Sequence, residues 1–149
     1  MNANVREFFA GYEKANAEFE VPKIAALYAD VFMFGSPQGV QCVKKEDFVR
    51  VLPKRKDFFR SVGLVSSKIE SLEASNLDSK YVLVKAVWKI RFECITRVPM
   101  DSENSTTYIL AGTDDSFQIV FQLDHQDLMK KVQEHLRIQI ESLNRWLLH

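Results

Sequence analysis

Between Tyr81 and Cys94 the chain alternates. Val82, Val84, Ala86, Trp88, Ile90, Phe92 and Cys94 fall on one side of an extended strand, and Lys85, Lys89, Arg91 and Glu93 fall on the other. A period of two held this long requires one buried and one mostly wet face, hence an antiparallel sheet covered on one side. A strand of this length is predicted to bend or twist around a core. Leu83 and Val87 interrupt the charged side and give it some apolar contact area. The rest of the chain has to supply the cover.

Helical patterns come first. Val5, Phe8, Phe9, Tyr12 and Phe19 recur at helical spacing and predict one helix through residue 19, opened by Asn4 with Glu7 as a weak capping box. Pro22 suits a first helical position, and Ile24, Leu27 and Tyr28 give a second helix, Pro22–Ala29, its buried face. Val31–Ser36 reads as a short strand, Pro37 and Gly39 as a turn, and Val40–Val43 as a small return strand. Lys45–Val62 is predicted helical, with Pro53 expected to kink or restart it and Gly63 to stop it.

Strand patterns follow. Leu64–Ala74 reads as a half-exposed strand and Ser75–Ser79 as a turn. Val98–Ser105 is predicted as a polar loop, in which Asn104-Ser105-Thr106 matches a glycosylation sequon by chance. Thr106–Gly112 and Phe117–Leu123 form a hairpin turning at Thr113-Asp114-Asp115-Ser116. Phe117, Ile119, Phe121 and Leu123 alternate there with Gln118, Val120 and Gln122. Asp124 is expected to cap a last helix, His125–Leu148, with Asp127 in its first turn. Met129, Val132, Leu136, Ile140, Leu143 and Leu147 make one stripe on it, widened by Leu128, Ile138, Trp146 and Leu148. That much apolar area predicts packing on its own sheet or against a second subunit.

Composition narrows the function classes. The 149 residues suit one domain, and 46% hydrophobic residues with eleven Phe supply a substantial core. Lys+Arg and Asp+Glu stand at 20 each, so no net charge draws the chain to nucleic acid or anionic lipid. The basic run Lys44–Arg60 is diluted by Glu46, Asp47 and Asp57, lacks an RNA-binding motif and reads as a solvated helix face. No apolar stretch is long enough to span a membrane, and Met1–Arg6 lacks a signal pattern. Cys42 and Cys94 have no metal spacing and are too few for a disulfide scaffold, which points to the cytoplasm. Cys94 reads as an inert buried thiol, and the Asp114–Asp115 turn makes a poor metal site. His125 and His135 are too far apart along a helix to share an ion, and His149 lies in the tail. No metal or cofactor is expected.

The order Tyr12, short helix, Leu27-Tyr28-Ala29-Asp30, strand, then the Pro37–Gly39 turn, followed by a third helix and a long sheet, resembles the nuclear transport factor 2-like superfamily. That superfamily includes ketosteroid isomerases and SnoaL-like cyclases. The resemblance covers about residues 4–123. It implies an α+β fold in which a cone-shaped, bent antiparallel sheet has three N-terminal helices over its concave face, here with a long C-terminal helix added. It also implies a deep apolar pocket and a homodimer through the convex face. Tyr12 matches the isomerases' oxyanion tyrosine, but Ser36 stands where they carry the aspartate general base. The position of their second acid falls near Tyr108–Leu110, where there is none.

A serine is no base without a His or Lys to activate it, and no histidine comes from a pocket-lining strand. The expected hollow therefore has no proton acceptor at its floor, and the enzyme reading is disfavoured. The expected role is binding a small, mostly apolar molecule, with Tyr12 and Ser36 as polar anchors and Phe34, Trp88, Phe92 and Tyr108 as walls. Two alternatives stand beside it. One is a SnoaL-like isomerase, cyclase or dehydratase; the other is a non-catalytic dimeric module in which the same side chains fill the interior.

Overall fold

The computed structural model describes residues 3–93, 99–113 and 116–148. Cys94, the Asp114–Asp115 turn, His149 and the side chains of Leu143, Trp146, Leu147 and Leu148 lie outside the described residues. The chain runs α1 (Ala3–Glu18), α2 (Val21–Ala26), β1 (Tyr28–Ser36), β2 (Gly39–Lys44), α3 (Lys45–Ser61), β3 (Leu64–Asn76), β4 (Tyr81–Glu93), β5 (Pro99–Thr113), β6 (Ser116–Asp124) and α4 (Leu128–Leu148). The strands form one six-stranded sheet in the order β2-β1-β6-β5-β4-β3. Every pair is antiparallel except β1 with β6, which run parallel. The sheet is thus mixed at that seam, where the sequence reading expected antiparallel pairing throughout.

The alternation of β4 decides the layers. Val82, Val84, Ala86, Trp88, Ile90 and Phe92 are all buried. Opposite them, β5 buries Ser102, Asn104, Thr106, Tyr108 and Leu110. Helix α1 lies against β3, and α3 lies against β1 and β3. Val5 and Phe9 of α1 and Leu52 and Phe59 of α3 complete the core on that face. Glu13 adds a polar tie from α1: its Oε2 accepts the Ile69 backbone N–H at 3.1 Å, at the bulge in β3. Helix α1 ends on Phe19 at φ 51°, a left-handed position, and Lys56 Nζ of α3 sits 4.1 Å from the centre of that ring.

Several expectations are corrected. Of the expected loop Val98–Ser105, Val98 lies outside the described residues and the rest is strand: β5 begins at Pro99, and its buried Ser102 and Asn104 hydrogen-bond to each other at 2.6 Å. Polarity hid this strand, since its inner face is polar and offers no apolar alternation to read. Tyr28 is not on the second helix; it opens β1, and α2 stops at Ala26. Helix α3 continues through an exposed Pro53 without restarting. Asp124 ends β6 and does not cap α4; Asp127 does, its Oδ1 accepting the Lys130 N–H at 3.1 Å.

The last helix lies on its own chain in its first half. Val132 is fully buried, with Leu128 and Leu136 packed beside it. Lys131 Nζ reaches Ser102 Oγ and the Glu103 carbonyl at 3.3 Å and Asn104 Oδ1 at 3.4 Å. Farther along, Ile138 and Ile140 are about half exposed.

Candidate functional site

Helix α1 and strands β1, β4 and β5 each bring one polar aromatic to the same point of the interior. The ring of Tyr12 lies 5.5 Å from Trp88, 6.0 Å from Tyr108 and 6.4 Å from Tyr28. Their polar atoms form two hydrogen-bonded runs. Trp88 Nε1 donates to the Tyr108 hydroxyl at 3.2 Å, and the Tyr108 ring stands edge-on to that of Tyr12. The Tyr12 and Tyr28 hydroxyls are 3.0 Å apart, and Tyr28 donates to Gln122 Oε1 at 2.6 Å. Gln122 Nε2 then donates to Asp124 Oδ1 at 3.1 Å, which also takes the Thr106 hydroxyl at 3.4 Å.

The direction of the line follows from its ends. An indole N–H only donates and an amide oxygen only accepts. With Tyr28 spending its proton on Gln122, Tyr12 donates to Tyr28. From Tyr12 onward every proton points toward Asp124.

Register explains how Gln122 and Asp124 reach the interior. The β5–β6 pairing slips between Ile109 and Leu110, where Ile109 faces Phe121 and Leu110 faces Ile119. Val120 is the extra residue, and a one-residue slip exchanges the faces of everything beyond it. Ile119 therefore points inward with Leu110, while Phe121 and Leu123 turn to the outer face. Gln122 pairs with Tyr108 and Phe34, and Asp124 pairs with Thr106, all on the inner face. The single apolar side expected for Phe117, Ile119, Phe121 and Leu123 is corrected accordingly.

Burial sets the charge states. It raises the Tyr12 hydroxyl above its ordinary value, and the hydroxyls of Tyr28 and Tyr108 well above theirs, so all three are neutral phenols. Burial also raises the Asp124 carboxyl, against the hydrogen bonds of Gln122 and Thr106 and the charges of Arg55 and His125. The expectation of an interior without a proton acceptor is thus corrected: a carboxylate on β6 faces it, two hydrogen bonds from Tyr28.

The predicted site residues separate. Tyr12, Trp88 and Tyr108 come together in one cluster of rings. Phe34 lies beside Gln122. Phe92 is fully buried farther along β4, its ring 6.2 Å from Phe59. Ser36 is taken up by the turn: it donates to Gln38 Oε1 at 2.9 Å and accepts the Gln38 N–H at 3.2 Å, while Gln38 Nε2 reaches Asp127 at 2.6 Å. Tyr28, Gln122 and Asp124 escaped the sequence reading. The one available signal was a glutamine and an aspartate closing an otherwise apolar strand.

Tyr12, Phe34, Phe48, Gln122 and Asp124 are only half buried. Two open depressions lie elsewhere. One of about 510 Å³ is edged by Asp30, Lys44, Lys45 and Val49, the other of about 410 Å³ by Met100, Lys131, His135 and Ile138. Among the described residues no group of three His, Cys, Asp or Glu side chains could hold one metal ion, and no helix is long and apolar enough to cross a membrane.

Solved structures share this architecture. An NTF-2 like protein of unknown function from Shewanella oneidensis is 15% identical, with 83% of this chain and 97% of that one covered at a TM-score of 0.66. A ketosteroid isomerase-like protein from Erwinia carotovora is 14% identical, with coverages of 83% and 93% and a TM-score of 0.65. A protein of unknown function with a cystatin-like fold from Nostoc punctiforme is 10% identical, with coverages of 84% and 90% and a TM-score of 0.66. At these identities the likeness shows the fold alone. No curated protein matches the chain. A family model described as NTF2-like protein (DUF6841) matches residues 3–127, and the chain belongs to that NTF2-like family.

Proposed function

We propose that the protein binds a small, mostly apolar molecule against the concave face of its sheet, with the line from Tyr12 to Asp124 as its polar anchor. One observation carries this reading: a part-buried hydrogen-bond line that ends on a carboxylate. A core that only has to pack gains nothing from a half-buried carboxylate, and apolar side chains of similar volume serve it as well or better. Tyr12 remains the anchor expected from the sequence, whereas Ser36 gives way to Tyr28, Gln122 and Asp124. Native mass spectrometry of the purified protein tests the reading. A reproducible added small mass, lost on denaturation, is the expected result; a bare chain that gains no mass from a library of small apolar compounds contradicts it.

The carboxylate itself makes a prediction about stability. The folded-state value of Asp124 is raised above its unfolded one, so the folded chain holds that proton more tightly. Ionising the group therefore destabilises the fold. The penalty is absent below the ordinary carboxylate range, grows as pH rises from there through the raised folded value and is full above it. Asp124→Asn keeps an oxygen acceptor for Gln122 and Thr106 and removes the charge. It is expected to stabilise the protein at pH 7 by on the order of 1 kcal/mol, and by nothing in strong acid. Urea unfolding of both proteins at the two pH values measures this. The same carboxylate is the acid–base group that the alternative reading, a SnoaL-like enzyme, would need; a bell-shaped pH dependence toward a carbonyl substrate would favour it.

The outer face favours a homodimer. Leu83, Ile109, Phe121 and Met33 are direct register partners and form one apolar row across β4, β5, β6 and β1. Met33 is 38% exposed, and Val31 and Val40 beside it are 52% and 59% exposed. Such a row, flanked by Lys85 and Lys89, suits a two-fold contact with a second copy. Light scattering at tens of micromolar is expected to give twice the chain mass, and Met33→Lys to shift it toward the monomer.

A further inference from the structure

Resting on the binding reading above, we infer that the first half of α4 is an autoinhibitory lid: it occupies part of the concave face that a bound molecule needs, and binding requires it to swing away. The helix begins at Leu128, just beyond the residues matched by the family, so it is an addition to the shared part of the fold. Register fixes what it covers. Ser102, Asn104 and Thr106 of β5 pair directly with Ile90, Trp88 and Ala86 of β4, so the six share the inner face, and all six are buried. Helices α1 and α3 lie against β1, β2 and β3. It is Lys131 of α4 that reaches Ser102 and Asn104, with the wholly buried Val132 next to it. Asn104 is the register partner of Trp88, whose indole N–H is held by Tyr108. The helix thus sits over the floor that leads to the Tyr12 cluster.

The latch is weak and the hinge is firm. Lys131 Nζ meets Ser102 Oγ and the Glu103 carbonyl at 3.3 Å and Asn104 Oδ1 at 3.4 Å. Well-formed bonds from a charged donor are shorter, about 2.7–2.9 Å. The connection before the helix is held more tightly. The His125 N–H donates to the Ser105 carbonyl at 3.1 Å, the Ser105 N–H to Gln126 Oε1 at 2.7 Å, and Gln38 Nε2 to Asp127 Oδ2 at 2.6 Å. Past Leu136 the helix parts from the sheet: the open depression of about 410 Å³ lies between Met100 and Asp101 of β5 and Lys131, His135 and Ile138 of α4. A helix pinned at one end, latched by long bonds and splayed at the other opens as a unit while the sheet stays folded. Opening exposes Val132, Leu128 and Leu136, so the open form is a minority, on the order of 1%. A molecule that binds only this form has its apparent affinity lowered by the same fraction.

Backbone hydrogen exchange and calorimetry with benzyl alcohol, both on the full chain, test this. In the wild type the amides of Val132 and Leu136 are expected to exchange at least about tenfold faster than those of Val84 and Ile90 in β4, because the lid opens without the sheet. Lys131→Ala removes the latch. It is expected to speed exchange in α4 about tenfold, leave β4 unchanged and tighten benzyl alcohol about tenfold. Val132→Ser loosens the same contact through its packing and gives a second reading should the first variant fail to fold. Lys130→Ala, at an exposed position one residue away, is expected to change neither quantity. Helix amides that exchange only as slowly as those of β4 overturn the lid and leave the binding reading in place. So does benzyl alcohol that binds the wild type and both variants equally. Benzyl alcohol that binds none of these proteins overturns both.

Discussion

Gly63→Ala is expected to destabilise the protein by about 3 kcal/mol or more, because a Cβ there meets the shortest contact of any glycine in the chain. Two independent costs add there. Gly63 sits at φ +91°, where a side chain is strained. A Cβ would also lie 2.0 Å from the Glu93 carbonyl oxygen and 2.8 Å from its carbon. Those are backbone atoms of the end of β4 and cannot turn aside as a side chain would. Moving them apart sacrifices the hydrogen bond from the Glu93 N–H to the Gly63 carbonyl at 2.7 Å, which ties the α3–β3 corner to β4. For a chain of this size the melting temperature should fall by on the order of 10 °C. A melting curve within about 2 °C of the wild type would show that the corner is looser than described.

Phe9→Ala is expected to cost a further-reaching 3–5 kcal/mol. Phe9 is wholly buried, with its ring 5.0 Å from Tyr108, 5.1 Å from Phe8 and 6.1 Å from Tyr12. Its loss leaves a void under Tyr12 and Tyr108, so the damage should appear in binding as well as in stability. Phe9→Leu refills most of the volume and should cost under about 1.5 kcal/mol. Denaturant unfolding of the two variants measures both figures. Equal losses would mean that ring packing, not volume, holds α1 to the sheet.

Both positions show what the sequence reveals and what it hides. Phe9 and Gly63 were readable, one from the helical stripe and the other as a helix stop. The alternation of β4 was readable too, because its inner face is apolar from Val82 to Phe92. The inner face of β5 was not. Ser102, Asn104 and Thr106 follow the same period of two, but burial of polar residues leaves no hydropathy signal. Tyr28 was assigned to a helix because Ile24, Leu27 and Tyr28 keep helical spacing across a boundary that Tyr28's pairing with Ile119 sets from far along the chain. The bulge at Val120 was the costliest gap. It is a tertiary event, with no Gly or Pro to mark it, and it alone decides that Gln122 and Asp124 face inward. Half of the candidate site was therefore legible, on α1, β4 and β5, and the half on β1 and β6 was not.

The central claim is that the concave face is a binding surface whose anchor is the line through Tyr12, Tyr28 and Gln122 to Asp124. Nitrogen-edited NMR observes two groups of that face directly, the Trp88 indole N–H and the Gln122 carboxamide. Titration with benzyl alcohol or benzylamine is predicted to shift both signals along one saturating curve, with the Val40 amide on the outside unmoved. Signals from Trp88 and Gln122 that stay fixed while amides of the outer surface move would contradict it.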